Sequence, residues 1–268
     1  MRSRLSKRVN FRPILAIALL SLAGCGSESD RVLEETFERL YTIDPNANMT
    51  IQNGDGAILV YGSNVNEMRV QSVKKAYSHA RLKGIGIDVS TKPGSVSIST
   101  KFLPKSKWGL FDRSGTVDYT IVVPATASIA GLDLNAGEIV VDGMRGRTMR
   151  ARLGEGWMFA RNCFANVDLA VKRGNLIISY DWWEENNFSV QANLAHGNAW
   201  AYLPVGGAFH LFAKAVHGEI FNDFETRAVA KSAAATGMKV DTLVNGGGEA
   251  SIKLRVTKGN IKIVEARP

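Results

Sequence analysis

The chain carries four histidines, and two of them occupy matching places: His196 in NLAHGNAWAY and His217 in KAVHGEIFNDF, each directly before a glycine. Glu219 follows two positions after His217. Two imidazoles and a carboxylate are zinc-ligand types, but zinc takes three or four ligands and Glu219 is the single obvious third donor. A surface corner is the commoner reading, so no metal ligand is assigned, and a periplasmic metal-binding protein stands as the weakest function considered. A second constellation is SYDWWEENNF, residues 179–188. Indole faces stack on pyranose rings and carboxylates accept from sugar hydroxyls, which makes Trp182, Trp183 and Glu184 candidate glycan contacts. The alternative is an insertion whose tryptophans cover the side of the fold. As an acid–base pair Glu184 and Glu185 fail, because adjacent residues of an extended chain point to opposite faces. A third is GMRGRTMRARLG, residues 143–154, with Arg145, Arg147, Arg150 and Arg152. These are candidate contacts for anionic glycans or lipid phosphates, or else a solvated edge. No P-loop, GxSxG elbow, HExxH or CxxC occurs. No catalytic residue and no cofactor is therefore assigned, and a non-enzymatic role is expected, with a polysaccharide-active enzyme as the rival.

What precedes these residues says where they are displayed. MRSRLSKRVNFR is a basic leader, PILAIALLSLAG a short apolar stretch, and Cys25 comes directly after it. The apolar stretch is too short to span a bilayer as a helix and reads as a signal peptide. Leu22-Ala23-Gly24-Cys25 resembles the bacterial lipobox. That resemblance implies cleavage before Cys25, lipid (palmitate among it) on the cysteine, and a membrane anchor; the alternative is an ordinary signal peptide with an incidental cysteine. Gly26 after the cysteine implies the outer membrane by the enterobacterial sorting rule. Five of the 33 basic residues and none of the 25 acidic ones lie in the leader, so the formal charge of +8 falls to near +3. With an envelope location, that argues against nucleic acid as a partner. The membrane through Cys25 and an envelope or surface polysaccharide or protein are the partners expected. Cys163 has no intramolecular partner once Cys25 is lipidated and reads as a buried apolar thiol.

The elements that must position these side chains are strands. Residues 25–48 read as a lipidated cysteine and tether, in which RVLEETFERLYTID is a short amphipathic helix or a lead-in strand. From Met49 to the end, short apolar/polar alternations broken by glycine dominate. Only the spacing near residues 34–40 and ETRAVAKSAAA, 225–235, suggests helix. KFLPKSKWGLFDRSG, 101–115, reads as a long loop with Trp108 and Phe111, capping the fold or touching a membrane. Gly137, Gly156, Gly174, Gly197, Gly218, Gly237 and Gly259 align, with steps of 19, 18, 23, 21, 19 and 22 residues. Gly115, Gly94 and Gly56 extend the series more weakly, and the last gap leaves room for one coil without its glycine. An apolar or small residue stands three before each glycine and another two after it, with Lys239 breaking the pattern unless Val240 takes its place. A period near 20 predicts a β-solenoid over residues 49–268, each glycine a corner and each repeated apolar slot a buried ladder. In that order His196 and His217 lie one coil apart. Asn175 and Asn198, each just after a glycine, could stack as an amide ladder.

The run of G-x-I-x-V motifs, the approach MTIQNGDGAILVYGSNVNEMRVQSVKKA and the lipobox ahead of it resemble the bacterial "putative adhesin" families of unknown function, which include head domains of auto-transporter-like adhesins. The resemblance spans Met49 to Arg267. It implies a single-stranded β-helix with no established catalytic residues, and hence a binding, adhesion or scaffolding surface.

Overall fold

A computed structural model describes residues 31–104, 115–224 and 238–266. The chain is all-β there: fifteen strands in one open sheet, with one five-residue helix. In order these are β1 (Leu33–Thr42), β2 (Asn48–Ser63), β3 (Glu67–Ala76), α1 (His79–Lys83), β4 (Gly86–Lys92), β5 (Ser95–Lys101), β6 (Thr116–Pro124) and β7 (Ser128–Asp142). Then follow β8 (Thr148–Arg161), β9 (Asn166–Ser179), β10 (Ser189–Pro204), β11 (Phe209–His217), β12 (Ile220–Asn222), β13 (Met238–Val244), β14 (Ala250–Lys258) and β15 (Ile261–Ala266).

The middle of the sheet is a parallel run, β2–β7–β8–β9–β10, and its register follows the glycines. Gly56 pairs with Gly137, Gly137 with Gly156, Gly156 with Gly174, and Gly174 with Gly197. At these positions the backbone turns without leaving the ladder, at φ +134° for Gly156 and +132° for Gly174, a region open to glycine and strained for other residues. Space imposes glycine as well. A Cβ on Gly156 would fall on the carbonyl oxygen of Gly137, and one on Gly174 on that of Gly156. The slots that flank the corners close the core. Leu134, Leu153, Val171, Leu194, Val256 and Ala215 before the glycine are buried, and so are Ile139, Met158, Leu176, Ala199, Ile261 and Ile220 after it. Side chains at the alternate positions point out, as period-two alternation requires.

The order of stacking departs from sequence order. β14 and β15 lie directly on β10, and β11 and β12 lie beyond them, so Gly259 comes between Gly197 and Gly218. A parallel neighbour need only match in register, and VTKGNIKI matches LAHGNAWA as well as AVHGEIF does. β13 then pairs antiparallel with β11 at the edge, so it is no parallel coil of the repeat; Lys239 is exposed and Val240 buried. At the other end the weaker glycines separate. Gly56 belongs to the corner stack, whereas Gly94 sits in the turn between β4 and β5, and Gly115 packs against the carbonyl of Lys75. The long gap after Gly56 holds antiparallel structure (β3, α1 and β4) instead of a further coil. Residues 34–40 are strand, within β1, which pairs antiparallel with β3 and carries the sheet into the residues read as tether. Both path ends carry charge, Glu34, Glu35, Glu38 and Arg39 on β1 and Lys239 and Asp241 on β13, which discourages further strand addition. The lipobox with Cys25, the loop residues Trp108 and Phe111, the 225–235 stretch and Gly237 lie outside the described residues.

Candidate functional site

The 180–188 segment follows β9 and is held by its own side chains. Tyr180 donates its hydroxyl to the Cys163 carbonyl (2.8 Å), and Asn162 and Asp181 exchange two hydrogen bonds of 3.0 and 2.9 Å. Trp183 turns inward, its ring 5.7 Å from Tyr180, 5.3 Å from Phe188 and 5.0 Å from Phe209. Its indole is therefore occupied by the aromatic cluster that fills the widest step of the repeat. Glu184 is equally engaged. Its carboxylate receives both terminal nitrogens of Arg145 (2.7 and 2.5 Å), the indole N–H of Trp182 (2.9 Å) and the amide of Asn186 (3.2 Å). Four donors use up the acceptor sites of one carboxylate. The Arg145 hydrogen bonds are the main cause holding Glu184 below the usual carboxylate range, the opposite of what a general acid needs. Of the three candidate glycan contacts only Trp182 presents a free face, at 45% exposure. With Arg145, Asn64, Asn66 and Thr126 it lines a cleft of about 480 Å³ among the loops at one end of the strands.

The four arginines do not form one edge. Arg145 belongs to the Trp182 cleft, its guanidinium 5.4 Å over the Phe164 ring. Arg147 precedes β8, and its backbone N–H donates to Ser128 Oγ (3.1 Å) while its side chain is exposed. Arg150 and Arg152, two apart on β8, share the outward face; Arg152 bonds the Asp168 carboxylate at 2.6 Å. That face is the larger feature of the molecule. It forms an open groove of about 820 Å³ crossing β7, β8, β9, β10, β14 and β11. Arg152, Lys172, Arg255, Lys214, Asn193 and Phe212 line it, with Asp133 at one end. Lys172, Arg255 and Lys214 went unnoticed because no short motif holds them. For Arg255 and Lys214 the readable signal was the slot four before each glycine, which runs Asp133, Arg152, Ala170, Asn193, Lys214 and Arg255; Lys172 lies outside it.

The histidine pair is resolved by the stacking order. His196 pairs with Lys258, and Lys258 with His217, so the two histidines stand two strand spacings apart, about 10 Å, with Lys258 on the strand between them. Among the described residues no group of three or more His, Cys, Asp or Glu could hold a metal ion. The same rearrangement lengthens the corner amide series. Asn260 enters beside Asn198, whose Oδ1 accepts its backbone N–H (3.0 Å), and Asn260 Oδ1 accepts the N–H of Glu219 (2.9 Å). Asp118 does the same for Ala57 at 2.9 Å at the other end of the stack. Cys163 is buried and free of any disulfide, and burial pushes its thiol up to about 12.

No protein-family model and no curated protein matches the chain. Among solved structures, a "putative cell adhesion protein" of Clostridium sporogenes is similar over 87% of this chain and 100% of that one, at 16% identity and a TM-score of 0.53. A "putative adhesin" of Bacteroides fragilis aligns over 86% and 97% at 13% identity, with a TM-score of 0.33. The first likeness establishes a shared all-β fold between this chain and the Clostridium protein.

Proposed function

We propose that the chain is a lipid-anchored envelope protein whose β-solenoid presents a non-catalytic binding surface to envelope or cell-surface polymers. The groove across β7 to β11 carries this reading. It is wide and open, its slot from Asp133 through Arg152, Ala170, Asn193 and Arg255 to Lys214 is held in cross-strand register, and Asp133 is the single carboxylate among its lining residues, whereas acid–base work on a shared substrate takes two. The solenoid, with coils of about 20 residues and glycine corners, is supported by the glycine pairing in β7–β10, where partners lie 19, 18 and 23 positions apart. The name of the Clostridium neighbour is in keeping with an adhesive role. The anchor is Cys25, by its resemblance to a lipobox, with the outer membrane as destination. Labelled palmitate incorporation and fractionation test it: the wild-type chain sediments with membranes and carries label. Cys25→Ser is unlabelled and stays in the soluble envelope fraction. Sedimentation of Cys25→Ser with membranes to the same extent contradicts the anchor.

A second reading is carried by Trp182, whose exposed indole beside Arg145, Asn64 and Asn66 offers a stacking face and hydrogen-bonding side chains to a neutral sugar. Trp182→Ala abolishes retention on immobilised neutral glycans if this cleft is used, and leaves it unchanged if it is not.

A further inference from the structure

The charge in the groove is ordered along the stacking direction. Neighbouring strands lie about 4.8 Å apart, so the four steps from Arg152 on β8 to Lys214 on β11 cover about 19 Å. In register along that line stand Arg152, Ala170, Asn193, Arg255 and Lys214, and Lys172 joins from the same outward face of β9 two residues nearer the corner, so four of five successive strands contribute a cation. Arg150 and Lys253 add two more on the same outward face, one pair of residues away from the corner. Against these six cations the face sets Asp133 and Asp168, and Asp168 is taken by Arg152. At the far margin Lys239 and Asp241 pair with each other, and His210 bonds the same carboxylate. Arg255 and Lys214, on adjacent strands, lie well within the screening length of about 8 Å at physiological ionic strength, Arg152 and Lys172 stand about one such length apart, and Asn193 on β10 separates the two pairs. They reinforce one another's field and repel, unless an anion runs along them.

Three features choose the class of anion. The cations come in two pairs, Arg152 with Lys172 and Arg255 with Lys214, spaced along the stacking direction, which suits a ligand whose negative charge also repeats along its length. The floor between them is Ala170, Ala195, Val216 and the half-buried face of Phe212, with Arg255 5.5 Å over that ring. Such a floor fits the C–H faces of sugar rings. Asn193, mid-groove, supplies both a donor and an acceptor for hydroxyls. The groove is also open along its length, so a polymer can pass through without an end. We infer that this face binds an extended acidic polysaccharide along the strand-stacking direction, carboxylate or sulfate groups meeting Arg152, Lys172, Arg255 and Lys214 in turn. This deepens the binding reading above but is independent of the anchor: the Cys25 experiment fails or succeeds without moving glycan affinity.

The test is a titration of the full chain with polygalacturonate, its fully methyl-esterified form, poly-glutamate and single-stranded DNA. Polygalacturonate binds, at least tenfold more tightly than the other three, and binding weakens as salt rises from 50 to 300 mM. Lys172→Glu/Lys214→Glu weakens it at least tenfold, while Lys83→Glu/Lys92→Glu, away from the groove, leaves it unchanged. Thermal melting checks that the variants are folded, and Lys214→Gln and Arg255→Gln serve if the double variant is not. No binding of polygalacturonate, equal binding of the uncharged ester, or unchanged affinity in the folded groove variants overturns the proposal. Equal binding of poly-glutamate or DNA overturns the polysaccharide assignment.

Discussion

Substituting Gly156 by alanine tests the corner stack where it is tightest. Gly156 adopts φ +134°, outside the left-handed well that an L-residue can tolerate, and residues held in sparsely populated backbone regions cost about 1–3 kcal/mol. The added Cβ would also overlap the carbonyl oxygen and carbon of Gly137, which are backbone atoms with no rotamer to yield. Relief requires β7 and β8 to part locally, at the loss of one or two ladder hydrogen bonds of about 1 kcal/mol each. Together these give a destabilisation of about 2–5 kcal/mol, a large part of the stability of about 5–15 kcal/mol typical of a folded chain. Gly206 is the control: a Cβ there meets nothing within 4 Å, and its φ is not in the glycine-only region. Urea unfolding followed by circular dichroism reads both. Gly156→Ala moves the midpoint down by the stated energy with an unchanged slope, and lowers the melting temperature by about 10 °C on the usual scaling for this size. Gly206→Ala stays within about 0.5 kcal/mol of wild type. A Gly156→Ala cost below about 1 kcal/mol, or one equal to that of Gly206→Ala, refutes the claim that the corners are backbone-limited.

Four further outcomes follow from the same structure. Glu184→Gln removes the paired hydrogen bonds to Arg145 and costs about 0.5–1 kcal/mol at pH 7, the low figure reflecting the exposure of Arg145. Because the folded-state carboxyl is held low, that contribution is present above the unfolded carboxyl range and is lost as pH falls through the lowered folded value; the gap between wild type and variant should narrow as urea titrations are taken to acid pH. Cys163, buried with its thiol raised to about 12, resists alkylation at pH 8–9 in the native chain and reacts once guanidinium unfolds it, as peptide mass mapping would record. Asn260→Ala strips the Glu219 N–H of its acceptor and costs about 1 kcal/mol, whereas Asn175→Ala, whose side chain makes no such bond, changes unfolding by less than half that. Zinc and a chelator leave the melting temperature unchanged, since Lys258 separates His196 from His217; a zinc-dependent rise lost in His196→Ala contradicts the stacking order.

The corners and the core ladders were legible because each slot is dictated locally: a glycine where a Cβ would strike the next strand, an apolar residue three before and two after it. Leu134 through Val256 and Ile139 through Ile261 are buried as that pattern requires. The order of the last strands was not legible, since β14 and β11 offer β10 the same register and nothing short-range chooses between them. The false histidine pair followed directly from that. Residues 34–40 misled for a different reason: β1 is an edge strand with one face in solvent, so its charges blur the alternation that marks a strand. At the 180–188 loop composition drew the eye to the aromatic and acidic residues, but it cannot tell an exposed Trp182 from a Trp183 turned into the core, nor show that Arg145, 39 residues away, claims Glu184. The groove was hidden for the plainest reason, that its cations come from β8, β9, β14 and β11 and meet only in three dimensions.

Full-length wild-type chain and the Lys172→Glu/Lys214→Glu variant are incubated with isolated envelope polysaccharide; retention and newly released reducing ends are read from the same samples. Wild-type protein should be retained and the folded variant released, with no new reducing ends in either case. Polymer cleavage by the wild-type chain, or failure of the wild-type chain to be retained, contradicts a non-catalytic binding surface on this sheet.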